Sequence, residues 1–168
     1  MKIYKALFLF VSLFVFTGCN FMISFKEGLI NSEIETVSIA NFPNQALTVS
    51  PMLSSTFTQA LQDKFTRQTR LTLVREDGDM NFEGEITGYT TNPVSISGDE
   101  YALMNRLTIT VRVRFTNTIE PKSNYDKTFS SYADYSVNRS FMEVEGALID
   151  EIVEKLVDDI FNTAVSSW

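Results

Sequence analysis

Hydrophobic and polar residues alternate most regularly between positions 106 and 115. Every second position there is apolar, namely Leu107, Ile109, Val111, Val113 and Phe115. A period of two is typical of a strand that buries one face and exposes the other. The same alternation over residues 82–89 predicts a second strand, with Phe82 on its apolar face and Tyr89 on its polar face.

Two other segments place apolar residues at helical spacing. The first runs from Leu53 to about Gln68, where Ser50 suits the N-cap and Pro51 the first helical position. The second covers about residues 143–165 and carries acidic side chains outside its apolar face. That wide face predicts a helix packed on a core, and it consists of Val144, Leu148, Ile149, Ile152, Val153, Leu156, Val157, Ile160 and Phe161.

The order of the elements predicts the fold class. A β-rich segment at residues 34–42 precedes the first helix, and a short apolar run at residues 71–74 follows it. Strand, helix, strand in this order favours a crossover between neighbouring strands. Residues 126–137 predict a further strand. We therefore expect an α+β two-layer sandwich, with two helices on one face of a four- to five-stranded mixed, mostly antiparallel sheet and a polar second face.

The first 19 residues have the pattern of a processing segment. Lys2 and Lys5 precede a largely apolar run at residues 6–16, which is too short to span a bilayer. The run ends in Thr17-Gly18-Cys19, which resembles the lipobox of bacterial lipoproteins, and Cys19 is the chain's one cysteine. We predict a signal peptide over 1–18, a lipid-anchored tether over 19–32 with Cys19 as the attachment residue, and a single domain over 33–168. The alternative is an ordinary signal peptide followed by a chance cysteine.

Composition excludes several classes of function. The chain has 21 acidic against 14 basic residues, so we expect no nucleic-acid partner. It has no histidine, which excludes a Ser-His-Asp triad, a Cys-His dyad and a histidine zinc site. The carboxylate pairs, such as Glu83 with Glu85, lack an evident apolar pocket to keep one acid protonated. The sequence therefore predicts no catalytic residues, no metal site and no cofactor.

Three arginines form the first candidate binding surface. Arg106, Arg112 and Arg114 share the polar face of the strand over residues 106–115. Guanidinium groups match the geometry of phosphates, which makes this stripe a candidate contact for an anionic ligand. The alternative is a structural role, in which the arginines pair across the sheet with Glu83 and Glu85.

A loop forms the second candidate surface. Asn92-Pro93 and Gly98 predict a loop before the alternating strand, and residues 97–105 of it carry Tyr101, Leu103 and Met104. Apolar side chains on a loop often mark a partner contact. The alternative is that this loop folds back on the core.

Several segments of the chain form a recognisable set. They are the lipobox, Phe42-Pro43-Asn44, residues 53–58, 67–74, 82–89 and 105–115, and the terminal helix ending in Trp168. Taken together, these segments resemble the LptE family of lipopolysaccharide-assembly lipoproteins, in the form found in Bacteroidetes-type bacteria. The resemblance covers nearly all of the chain after Cys19.

The resemblance implies a non-enzymatic outer-membrane lipoprotein that faces the periplasm. Its implied partners are an LptD-type outer-membrane β-barrel, which it would plug and help to assemble, and lipopolysaccharide, which it would help deliver to the outer leaflet. Of the family's functional residues, only the lipobox cysteine transfers, as Cys19. The alternative is a periplasmic lipoprotein of similar fold that binds a small ligand or serves another envelope secretion machine.

Overall fold

The computed structural model describes residues 30–47, 50–96 and 102–166. Within these ranges the chain forms five strands and two α-helices, with a short 3-10 turn at Pro121–Ser123. The elements follow in the order β1 (Thr36–Ile39), α1 (Leu53–Gln68), β2 (Thr72–Val74), β3 (Met80–Ile96), β4 (Ala102–Asn117), β5 (Tyr125–Ser136) and α2 (Phe141–Val165).

The five strands form one mixed sheet in the order β2-β1-β3-β4-β5. β1 lies parallel to β2 and to β3, whereas β3, β4 and β5 form an antiparallel meander. The strand–helix–strand unit therefore joins neighbouring parallel strands, as its order in the sequence predicted. The α+β two-layer arrangement of two helices and a mixed sheet is confirmed.

Both helices bury their apolar faces against the sheet. Every apolar residue predicted for the face of α2 is buried. Phe65 of α1 lies at the centre of the core, where its ring centroid is 4.8 Å from that of Phe82 on β3 and 5.1 Å from that of Phe161 on α2. Phe82 in turn contacts Phe115 of β4 at 4.8 Å. This aromatic cluster joins both helices to the central strands.

Helix α1 begins later than the sequence predicted. Ser50 and Pro51 lie in a turn before the helix, and Met52 occupies the N-cap position without a capping side-chain hydrogen bond. The N–H of Leu53 donates to the carbonyl oxygen of Ser50 over 3.3 Å. Ser50 therefore contributes its backbone to the turn, and the predicted N-cap was wrong by two residues.

A β-bulge in β3 reverses the predicted position of Tyr89. Ile86 pairs with Val111 and Gly88 pairs with Thr110, so one residue, Thr87, is extra on β3. An inserted residue shifts the inside–outside alternation by one position. Tyr89 therefore faces the core and is 4% exposed, and its predicted place on the polar face was wrong.

The hairpin formed by β3 and β4 is longer than the sequence predicted. Asn92 and Pro93 belong to β3, and Leu103, Met104 and Asn105 belong to β4. The predicted loop over residues 97–105 was therefore wrong for its last four residues, because strand pairing continues to Ile96 opposite Ala102. Residues 97–101 lie outside the described ranges.

Candidate functional site

The sheet face opposite the helices carries the predicted arginine stripe. Residues at even positions of β4 point to this face, whereas the odd positions from Leu107 to Phe115 are buried under the helices. Arg106, Arg112 and Arg114 therefore share one face, as predicted. We call it the arginine face; acidic side chains from β3 and β5 lie on it as well, namely Glu83, Glu85, Asp126 and Asp134.

Arg106 is held by a planar two-point ion pair. Its Nε and Nη2 atoms donate to the two carboxylate oxygens of Asp134 over 2.7 and 2.8 Å. The guanidinium carbon also lies 3.6 Å from the ring centroid of Tyr132, in cation–π geometry. Hydrogen bonds from Arg106 lower the pKa of Asp134, and the same pair raises the pKa of Arg106. Both groups therefore stay charged, and the arginine is already occupied.

Arg112 makes a similar pair with Asp126. Its Nε and Nη2 atoms donate to the two carboxylate oxygens over 2.9 and 2.8 Å. The hydrogen bonds from Arg112 lower the pKa of Asp126 and raise the pKa of Arg112 itself. This pair is more exposed than the first, with 51% of the Arg112 side chain open to solvent.

Arg114 is the least committed of the three arginines. Its nitrogens lie 3.8 Å from a carboxylate oxygen of Glu83 and 3.8 Å from one of Asp126, too far for a good hydrogen bond. Its side chain is 60% exposed. Together with Arg112 and Glu85 it borders a shallow depression of about 190 Å³ on the arginine face. Arg114 is thus the cation of this stripe best placed to meet an added anion.

The partners of the arginines differ from those that the sequence suggested. Glu83 does face Arg114, and Glu85 faces Arg112 in the strand register. The short hydrogen bonds nevertheless go to the two aspartates of β5. The β4–β5 register places Asp134 directly opposite Arg106, whereas Asp126 lies opposite Arg114 and accepts diagonally from Arg112, two positions away on the same face. Neither aspartate was predicted from the sequence as a partner of the arginines. The signal for them was that positions 126 and 134 lie an even number of positions apart, which places both side chains on one face of the strand predicted over residues 126–137.

The apolar candidates do not form one surface. Leu103 is 65% exposed and lies on the helix-side face of the sheet, beyond the part that the helices cover. Met104, the next residue along β4, is half-buried and points to the arginine face. Tyr101 lies outside the described residues, as does Cys19 with the predicted signal segment and most of the tether.

A groove with a volume of about 350 Å³ lies between the two helices. Six of its eleven lining residues are charged, among them Arg67 from α1 and Asp150 and Glu154 from α2. Lys64 forms an ion pair with Asp158 over 2.6 Å across this groove. The groove is open to solvent and bordered by charged side chains, unlike the enclosed pocket that typically buries a small ligand.

No helix within residues 30–47, 50–96 and 102–166 is long and apolar enough to cross a membrane. Over the same ranges, acidic side chains and cysteines form no cluster of three or more that could hold a metal ion.

The fold is shared with solved structures of low sequence identity. A hypothetical protein, CT253, from Chlamydia trachomatis has a TM-score of 0.54 at 11% identity, and the match covers 79% of this chain and 99% of that one. An uncharacterized lipoprotein B from Nitrosomonas europaea has a TM-score of 0.51 at 12% identity, over 79% of this chain and 83% of that one.

A third solved structure carries a different description. It is a putative neuraminyllactose-binding hemagglutinin homolog from Helicobacter pylori, with a TM-score of 0.50 at 10% identity, over 79% of this chain and 83% of that one. At such identities the likeness shows the fold alone, and one fold serves proteins of different description.

Comparison at the level of sequence decides the family. No curated protein matches this chain. The family model described as LptE, lipopolysaccharide-assembly, matches residues 34–164, which span every described strand and nearly all of the final helix. The resemblance inferred from the segments is thereby confirmed, and the chain belongs to the LptE family of lipopolysaccharide-assembly proteins.

Proposed function

We propose that this protein is a non-enzymatic lipoprotein of the outer membrane, anchored through Cys19 and facing the periplasm. In this role it plugs an LptD-type β-barrel, assists the assembly of that barrel and helps deliver lipopolysaccharide to the outer leaflet. The observation that carries the proposal is the family match over residues 34–164.

The surface of the sheet suits a plug. The lumen of a large barrel is polar and water-filled, so a plug needs a compact body with a polar outer surface. The arginine face meets this need because its three arginines lie among four carboxylates, and two of them are locked in two-point pairs. Such a face is hydrophilic but has little net charge, which keeps repulsion low against a lumen of either sign.

Arg114 is the proposed contact for lipopolysaccharide phosphates. A phosphate that approached Arg106 or Arg112 would have to displace an aspartate from a short two-point pair. Arg114 has only distant carboxylates and is mostly exposed, so it can add a phosphate contact without breaking one. The arginine stripe therefore divides into two largely structural members and one that is available for binding.

The hairpin of β3 and β4 is the proposed contact for the barrel. Leu103 exposes 65% of its surface on the uncovered end of the sheet, where docking would remove apolar area from water. Met104 belongs to the same hairpin, and Tyr101, which lies outside the described residues, remains part of this proposal.

A pull-down from detergent-solubilised membranes tests the main proposal. The wild-type chain should recover a large β-barrel protein, and the double variant Tyr101→Ser, Leu103→Ser should recover less of it at an unchanged melting temperature. A matched control is Met142→Ser, which changes an exposed apolar residue at the start of α2. Recovery of a monomer with a bound small molecule, and no barrel, would support the rival function instead.

Lipopolysaccharide binding is tested on the purified chain at two salt concentrations. Arg114→Gln should weaken binding more at low salt than at high salt, because exposed charge interactions are screened. Arg106→Gln is the control for a structural arginine and should lower the melting temperature with a smaller effect on binding. Equal affinities of Arg114→Gln and the wild type would remove Arg114 from the contact.

A further inference from the structure

Strand β3 continues well past its neighbour β1. β1 pairs with β3 only over Met80–Phe82. The segment after β1 adds two bonds at Ile86, whose N–H donates to the oxygen of Pro43 over 2.9 Å and whose oxygen accepts the N–H of Gln45 over 2.8 Å. Beyond Ile86, no strand in the described part of the chain lies on this side of β3, although β4 follows its other side to Ile96.

The register shows which backbone groups face this open side. The carbonyl oxygen of Ile109 accepts a hydrogen bond from the Ser130 hydroxyl of β5, and that of Leu103 accepts one from the N–H of Val137, just after β5. The backbone N–H and C=O groups at odd positions of β4 therefore point towards β5 and away from β3. In an antiparallel pair, two directly opposite residues either both point their N–H and C=O groups at each other or both point them away. Thr91 pairs with Leu107, and its N–H and C=O therefore point away from β4.

Pro93 agrees with this orientation. It pairs with Asn105, another odd position of β4, so its nitrogen also points away from β4. Proline has no N–H to donate, and inside a strand it is tolerated where that nitrogen faces an unpaired edge. Residues 90–93 are all exposed, which fits an edge that no described element covers. We call these four residues the free edge.

We infer that the free edge binds an extended segment of the barrel partner by adding a strand to the sheet; this rests on the proposed function. The outward N–H and C=O of Thr91 and the C=O of Pro93 are groups that an extended backbone satisfies. The segment Pro43–Gln45 already pairs with Ile86 in this manner, so the incoming strand continues an existing row of bonds.

The geometry also restricts the occupant. Every strand of a closed barrel is paired on both sides, so the incoming segment comes from a loop or a terminal extension of the partner. A second copy of this chain is a poorer match. If two copies paired antiparallel with Thr91 opposite Thr91, Tyr89 of each copy would lie opposite Pro93 of the other. Each of these two pairs would lack one hydrogen bond, because proline has no N–H. Pro93 and Leu103 lie on the helix-side face beside this edge, which favours apolar residues at alternate positions of the segment.

The test uses the full-length chain in membranes that contain its partner. Thr91→Pro removes the outward N–H and leaves the bonds to β4 intact, so we expect about tenfold less barrel recovered at an unchanged melting temperature. Thr91→Val keeps the N–H and should bind like the wild type. Thr90→Pro is the control for the register, because it removes a donor that faces β4 and should lower the melting temperature.

A photo-crosslinking residue at position 91 gives a second measurement that does not depend on the stability of the proline variant. A crosslink to a loop or terminal extension of the barrel supports the inference. A crosslinked dimer of this chain, no crosslink to the barrel, or full recovery of the barrel by a folded Thr91→Pro overturns it. If the wild-type chain recovers no barrel at all, the proposed function itself fails, which separates the two failures.

Discussion

Tyr89 offers the sharpest test of the structure, because its position depends on the bulge in β3. Its hydroxyl donates to the carboxylate of Glu145 over 2.6 Å, which joins β3 to the first turns of α2. The ring is buried, with 4% of the residue exposed. If the strand had no bulge, Tyr89 would lie on the arginine face in water, and neither its ring nor its hydroxyl would matter to stability.

The two parts of the side chain are separated by two substitutions. Tyr89→Phe removes only the hydroxyl, and hydrogen bonds to charged groups contribute about 1.5–3 kcal/mol. Glu145 is only half-buried and regains water, so we expect the low end, about 1.5 kcal/mol, or roughly 5 °C in melting temperature. Tyr89→Ala also removes the ring and should cost about 3–5 kcal/mol.

Thermal and urea unfolding of the purified domain measure both changes. Tyr132→Phe is the matched control, since Tyr132 is 48% exposed, and its melting temperature should equal that of the wild type. Combining Tyr89→Phe with Glu145→Gln should cost less than the sum of the two single changes, because they remove the same bond. A melting temperature of Tyr89→Ala equal to that of the wild type would refute the bulge and the core position of Tyr89.

Three further predictions concern the core. Gly84→Ala would drive a Cβ atom into the carbonyl oxygen of Arg112, so it should destabilise the domain by about 3 kcal/mol in urea unfolding; an unchanged midpoint would contradict this close approach. Leu156→Asp places a carboxylate at a fully buried position and should abolish the soluble folded domain, whereas an aspartate at an exposed position of the same helix should not. Stability should fall as pH rises above 10, because burial raises the pKa of Tyr89 and of Tyr125 above the ordinary value of 10.0, and the unfolded chain releases these protons first. Melting temperatures measured above pH 10 for the wild type and for the double variant Tyr89→Phe, Tyr125→Phe check this. If the melting temperature of the variant falls with pH as steeply as that of the wild type, other groups cause the loss of stability.

The alternation and helical spacing in the sequence determined most of the fold. The buried faces of β4, from Leu107 to Phe115, and of α2 can be read from short stretches of sequence. This is possible because the spacing of apolar residues in a strand or a helix is a local property. From these faces it follows that both helices cover one side of the sheet, and that Arg106, Arg112 and Arg114 lie together on the other.

The pairing between distant segments was decided only in the tertiary structure. Arg106 and Asp134 are 28 positions apart, and they meet because two strands adopt one register out of several that a pattern of period two permits. The extra residue Thr87 moves Tyr89 into the core, and the continuation of β3 past β1 leaves Thr91 on an open edge. The spacing of apolar residues within one strand does not predict these features. Each depends on the register, the bulge or the relative length of two paired strands.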